Sequence, residues 1–114
     1  MRPTAIGPLS ALDKTCQGRG FAQRRDAAII AVFTATGIRA AELTGIRYDP
    51  HDSHRSDLDL QSREITVRGK GGRARIVRIG HDASRTLDRY LRVRSRHAQA
   101  WRQDLWLGVN NRGR

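Results

Sequence analysis

The stretch Ile65-Thr66-Val67-Arg68-Gly69-Lys70-Gly71-Gly72-Arg73-Ala74-Arg75-Ile76-Val77-Arg78-Ile79 decides the fold class. Its two ends are β-branched and roughly alternating, the pattern of half-buried strands. Its middle, Gly69-Lys70-Gly71-Gly72, is rich in residues that accept positive φ. The pattern predicts a β-hairpin with a lysine at or near its tip. The segments around it are helical in pattern, so the chain is expected to be α+β and mainly helical, with helices packed on a small antiparallel hairpin sheet.

Upstream, residues 24–36 are the most apolar segment, with Ile29, Ile30, Val32 and Phe33 in an alanine-rich frame. Apolar residues nearly all round predict a helix buried on most sides. Asp26 is expected in its first turn, where the helix dipole favours an anion. Gly37 is the expected left-handed stop. A short helix is predicted over 39–45. Leu9, Leu12 and Cys16 predict another over 8–16, ended by Gly18-Arg19-Gly20. Residues 1–7 read as a flexible start, and Tyr48–Ser56 as an exposed loop. Downstream, Asp82 is a good N-cap for a helix over about 83–98. Leu87, Tyr90 and Leu91 make its apolar stripe, and Arg85, Arg89, Arg92 and Arg96 its other face. Leu105-Trp106-Leu107 reads as a short apolar anchor.

The 114 residues make one domain at most. Lys plus Arg is 22 against 11 acidic residues, a formal charge of +11, and only Lys14 and Lys70 are lysine. Residues 1–57 hold eight cations and six anions; residues 58–114 hold fourteen and five. The positive field belongs to the second half and favours a polyanionic partner, most often nucleic acid. An arginine-rich proteome would give the same composition without any such partner. The longest nearly apolar run, Ala27–Ala35, is far short of the roughly 20 residues of a membrane span. No signal-peptide core follows Met1, so the cytoplasm is the expected compartment and no membrane partner is expected. The single cysteine, Cys16, leaves no intramolecular disulfide and no cysteine metal cluster.

Three local features invite a chemical reading. In Thr36-Gly37-Ile38-Arg39-Ala40-Ala41-Glu42-Leu43 a helix stops at a glycine and another begins with an arginine. Free backbone N–H groups there suit an anion, and Arg39 offers a planar fork to a phosphate. Glu42, three residues on, is in reach of Arg39 and would orient its guanidinium. A plain helix corner with a local ion pair fits the same residues. In the hairpin, Lys70 sits on a glycine-rich tip flanked by Arg68, Arg73 and Arg75, where the main chain can approach a sugar-phosphate backbone. A solvated basic turn that discourages edge pairing fits equally. His51-Asp52-Ser53-His54, with Asp49 nearby, has metal-ligand residue types but irregular spacing, and no metal is expected.

Taken in order, these segments resemble the tyrosine recombinases of the phage integrase family. The matching runs are Arg24–Ile30, Thr36-Gly37-Ile38-Arg39-Ala40-Ala41-Glu42-Leu43, the acidic Ser56-Asp57-Leu58-Asp59-Leu60, and Arg63–Arg75 with its Gly69-Lys70-Gly71 turn. They correspond to an apolar helix, T-G-x-R-x-x-E-L, a D-x-D segment and V-x-G-K-G-x-K-x-R, and the resemblance extends over about residues 9–112. It implies DNA strand exchange through a 3′-phosphotyrosyl intermediate, with double-stranded DNA as partner, no cofactor, and oligomers of the complete proteins on DNA. Arg39 matches the arginine that contacts the scissile phosphate. Lys70 matches the general acid toward the 5′-oxygen leaving group, and Glu42 the acidic residue that supports the arginine. Arg68, Arg73 and Arg75 fall where the hairpin meets DNA.

The departures are as informative. No H-x-x-R occurs, since His97 is followed by Ala98, Gln99 and Ala100. Tyr48 and Tyr90 precede the place of that motif, so neither matches the nucleophile. Residues 48–56 look like a loop insertion. The chain is therefore expected to be the N-terminal half of a recombinase catalytic domain, inactive alone. The alternative is a small basic accessory protein that binds DNA or RNA without catalysis.

Overall fold

The computed structural model describes residues 19–108. Helix α1 spans Arg19–Thr36 and helix α2 spans Ala40–Thr44. Strands β1 (Leu58–Asp59), β2 (Glu64–Arg68) and β3 (Ala74–Arg78) follow, and helix α3 spans Gly80–Arg94. The architecture is α+β, with helices against a small antiparallel sheet, as the sequence predicts. The helix predicted over 8–16, Cys16 and the start at 1–7 lie outside the described residues.

The sheet has order β1-β2-β3. The predicted hairpin is β2–β3, in the register Ile65↔Val77 and Val67↔Arg75. The sheet has a third strand that the hairpin pattern did not announce. Leu58 pairs with Ile65 and Asp59 with Glu64, so the acidic segment extends the sheet by two residues. A strand this short has no period of its own to read and exists through its pairing.

Helix α1 packs on α3, and the sheet closes the core from the side. Phe21, Ala28 and Val32 of α1 meet Leu87, Tyr90 and Val93 of α3, with Ile65 and Val67 of β2 beneath them. Two expectations for α1 are corrected. Among the described residues it is helical from Arg19 on, through Gly20, expected to break it, and Asp26 therefore lies two turns in, paired with Arg25. Burial of Phe21, whose ring packs 5.5 Å from Tyr90 and 4.8 Å from His97, offsets the helix penalty of Gly20. Nor is α1 buried on most sides: Ile30 and Phe33 are exposed, at 63% and 47%.

Helix α3 starts earlier than expected. Gly80, at φ +80°, turns the chain directly from β3 into the helix, and Ile79 takes the N-cap position. Asp82 is then a first-turn anion rather than the cap. The helix ends at Arg94, whose side chain turns inward. It is 1% exposed and donates to the carbonyls of Ala100, Arg102, Asp104 and Leu105. The Leu105–Leu107 anchor is seated as predicted. Leu105 and Leu107 are buried, Tyr90 Oη donates to Leu105 O (2.7 Å) and accepts from Leu107 N (3.1 Å), and Trp106 Nε1 donates to Leu43 O (2.9 Å).

Candidate nucleic-acid interface

The predicted stop at Gly37 has φ +67°, and its N–H donates to Phe33 O at 2.8 Å. Ile38 is then drawn into the core, at 2% exposure. That inward turn places Arg39, with an extended backbone, outside at the start of α2. Glu42 sits one turn on and is buried.

The sequence predicted that Glu42 would orient the Arg39 guanidinium. The carboxylate instead holds the Arg39 main chain: Oε1 accepts from Arg39 N at 2.9 Å. Its ion-pair partner is Arg75, thirty-three residues away on β3. Arg75 Nη1 donates to Oε2 at 2.6 Å and Nη2 to Oε1 at 3.2 Å, a bidentate pair. The Arg75 hydrogen bonds, then the Arg39 N–H, hold the Glu42 pKa down at about 2 in spite of burial.

Gly69 closes this junction. A Cβ built on it would lie 3.1 Å from Glu42 Oε2 and 3.8 Å from Arg75 Nη1. A side chain at this position would push the Glu42 carboxylate back by a few tenths of an ångström, so the glycine lets the hairpin turn sit this close to it. The turn itself runs over Lys70–Gly72 and is kinked rather than regularly helical, with Gly71 and Gly72 both at φ +76°. Gly69 N donates to Arg73 O at 2.8 Å across its base. Lys70 and Arg73 are exposed.

A second buried carboxylate, missed as a site residue, serves the other arm. Asp57 Oδ1 accepts from Arg68 Nη1 at 2.7 Å, and Oδ2 accepts from Arg47 N at 2.9 Å. Its own backbone bonds both sides, with Asp57 N donating to Arg47 O and Thr66 N donating to Asp57 O. The signal was present in the acidic segment ahead of β2, but not the identity of its partner. Among the described residues, the side chains of Arg39, Lys70 and Arg73 take part in no ion pair. The structure thus gathers Arg39, Arg68, Arg75 and the Lys70 turn around two buried acids, Glu42 and Asp57.

The remaining candidates lie elsewhere. Arg85, Arg89 and Arg92 are exposed on α3, and Arg92 pairs with Asp88. In the 48–56 loop, Asp49 accepts from His51 N and Asp52 from His54 N. Those carboxylates are turned to their own backbone, closing local turns. Tyr48 is half-buried under the Arg94 guanidinium, 5.0 Å from its ring centroid. Burial pushes the Tyr90 hydroxyl up to about 12. No described helix is long and apolar enough to cross a membrane.

Residues 9–113 match the model of the phage integrase family. The chain is 42% identical over 74 residues to tyrosine recombinase XerC of Thermodesulfovibrio yellowstonii, covering 65% of this chain and 22% of that protein. It is 43% identical over 67 residues to XerC of Syntrophus aciditrophicus, covering 59% of this chain and 19% of that protein. The crystal structure of XerA recombinase superposes with a TM-score of 0.63 at 26% identity, over 95% of this chain and 36% of that one. The chain therefore spans about a fifth of the length of the curated relatives it matches. With the T-G-x-R-x-x-E corner and the G-K-G hairpin joined at one buried carboxylate, the chain belongs to the phage integrase family of tyrosine recombinases.

Proposed function

We propose that this chain supplies Arg39 and Lys70 to the scissile phosphate in DNA strand cleavage and rejoining by a recombinase that forms a 3′-phosphotyrosyl intermediate. Arg39 meets the phosphate and stabilises the charge that develops as it becomes five-coordinate. A donor fixed in advance where charge appears is the most effective device for such a step. Lys70 delivers a proton to the departing 5′-oxygen, a contribution typically of about 10²–10⁴-fold. Glu42 supports Arg39 through its backbone, and Arg68, Arg73 and Arg75 form the DNA-facing surface of the hairpin.

The observation that carries this reading is the shared carboxylate. Glu42 accepts the N–H of Arg39 while Gly69, the neighbour of Lys70, is packed against its other oxygen. Two cations from distant parts of the sequence are thereby anchored to one group and left exposed. The attacking tyrosine comes from outside these residues. Of the two tyrosines, Tyr90 spends its hydroxyl on Leu105 and Leu107, and Tyr48 lies beneath Arg94. The chain alone binds DNA without cutting it. The complete protein works as an oligomer on DNA in the cytoplasm.

Anisotropy titration of a labelled random-sequence duplex across a salt series tests the binding. Affinity should fall steeply as salt rises, and charge removal at Arg68, Lys70 and Arg73 together should flatten the dependence. No binding at low salt sinks the DNA reading. A supercoiled-plasmid assay tests the chemistry: nicking by this chain alone would place the nucleophile within it.

A further inference from the structure

The inference rests on the DNA reading above and refines the part that Arg68 and Arg75 take in it. We propose that Arg68 and Arg75 are positioning residues, which lock the hairpin onto the buried carboxylates Asp57 and Glu42 and so aim Lys70 and Arg73 at DNA.

The register makes the case. Val67 pairs with Arg75 across the hairpin, and paired residues share a face of the sheet. Val67 is buried, so Arg75 leaves the ribbon from its core face. Arg68, the next residue, leaves from the opposite face. Each guanidinium ends on a carboxylate almost closed to solvent, the Asp57 side chain at 4% and the Glu42 side chain at 6%. The two carboxylates are fixed in turn by main-chain N–H groups, Asp57 by Arg47 N and Glu42 by Arg39 N. The hairpin arms are therefore tied down from both faces, close to the turn. A twist of the ribbon in either sense breaks one tie.

Chemistry separates these cations from the others. Arg75 spends two of its N–H donors on Glu42, and Arg68 spends its shortest bond on Asp57. Lys70 and Arg73 take no ion-pair partner among the described residues and stand on a turn with two glycines at positive φ. Such a turn holds no orientation of its own, because glycine loses more conformational freedom on ordering than any other residue. Its direction has to come from its two arms.

Arg75→Lys is the informative variant. It keeps the positive charge, which is all a phosphate contact of the point-charge kind needs, but gives up the fork that grips Glu42. Two measurements are made on the full chain. The first is ¹⁵N relaxation without DNA. Backbone order at residues 69–73 should fall from about 0.85 to below about 0.6 in Arg75→Lys and in Arg68→Lys, with α1 and α3 unchanged. The second is the salt dependence of binding to a random-sequence duplex. Arg75→Lys should lower the slope by about two units, the sum of the losses in Lys70→Ala and Arg73→Ala, and adding Lys70→Ala to Arg75→Lys should lower it no further.

Retained turn order in both lysine variants overturns the proposal. So does an unchanged slope in Arg75→Lys, or an additive loss in the double variant; either would make Arg75 an ordinary phosphate contact. If Arg75→Lys does not fold, Gly69→Ala takes its place. It changes no charge, and its Cβ would press on Glu42 from 3.1 Å. A wild-type chain that binds no duplex defeats the DNA reading, while the relaxation data still decide the clamp.

Discussion

Arg94 and Arg75 are the same residue in opposite settings. Arg94 is buried, forms no ion pair among the described residues, and spends its donors on four backbone carbonyls of the segment that follows α3. Burial lowers its pKa, and the nearby Tyr90 and Tyr48 oppose that. Arg75 keeps 54% of its side chain exposed and grips one buried acid. The first is consumed by the fold: it ties the segment after α3 to the helix through the carbonyls of Ala100, Arg102, Asp104 and Leu105. The second acts with Arg68 on the hairpin, since these two pairs fix its arms on either side of the turn. Charge alone does not separate structural from functional arginine here. The partner does.

The largest effect expected from breaking this contrast is at Arg94. Arg94→Met leaves several carbonyls without donors and should cost about 3 kcal/mol or more in urea unfolding. A loss below about 1 kcal/mol would mean that apolar packing of Leu105 and Leu107 suffices to hold the segment. Tyr90→Phe removes one hydroxyl from the same region. Leu105 O keeps Arg94, but the Leu107 N–H loses its acceptor, so about 1–3 kcal/mol is expected, with duplex binding unchanged.

The hairpin side should respond to acid instead. Glu42 has its pKa lowered from 4.5 to about 2, so its contribution to stability is full above the ordinary value and is lost as pH falls toward 2. Urea midpoints compared across that window should converge for wild type and Glu42→Gln, the wild type losing its advantage as the acid protonates. A constant gap down to pH 2 would mean that the neutral amide serves the junction differently from the protonated acid. The smallest stability effect belongs to the presented cations. Lys70→Ala and Arg73→Ala should stay within about 0.5 kcal/mol of wild type while each lowers the salt slope of duplex binding by about one unit.

Legibility in the sequence followed the range of the interaction. The hairpin, the left-handed stop at Gly37 and the Leu105–Leu107 anchor rest on local pattern and were all readable. The helical state of Gly20 was not, because the aromatic contacts of Phe21 with Tyr90 and His97 outweigh a local glycine signal. β1 was not, because two residues become a strand only by meeting Ile65 and Glu64. The Glu42–Arg75 pair joins residues thirty-three positions apart, which no local rule connects. Glu42 lies in easy reach of Arg39, and its main-chain bond to Arg39 was the half of its role that local spacing came close to. Arg94 carried a readable sign that went unused. It falls four residues after Tyr90 and seven after Leu87, in phase with the buried stripe and out of phase with Arg85, Arg89, Arg92 and Arg96.

The close seat of Gly69 against Glu42 has a consequence for how this chain can evolve. Three positions share one small volume: the length of the acid at 42, the absence of a side chain at 69 and the reach of the fork at 75. A change at one alters what the other two can tolerate. A shorter acid at 42 would open room for a methyl at 69 but leave Arg75 stretching for its partner. Substitutions at 42, 69 and 75 should therefore be epistatic, with singles harmful and matched pairs or triples restoring the junction. A route to altered hairpin geometry within this fold runs through such matched sets rather than through the exposed lysine itself.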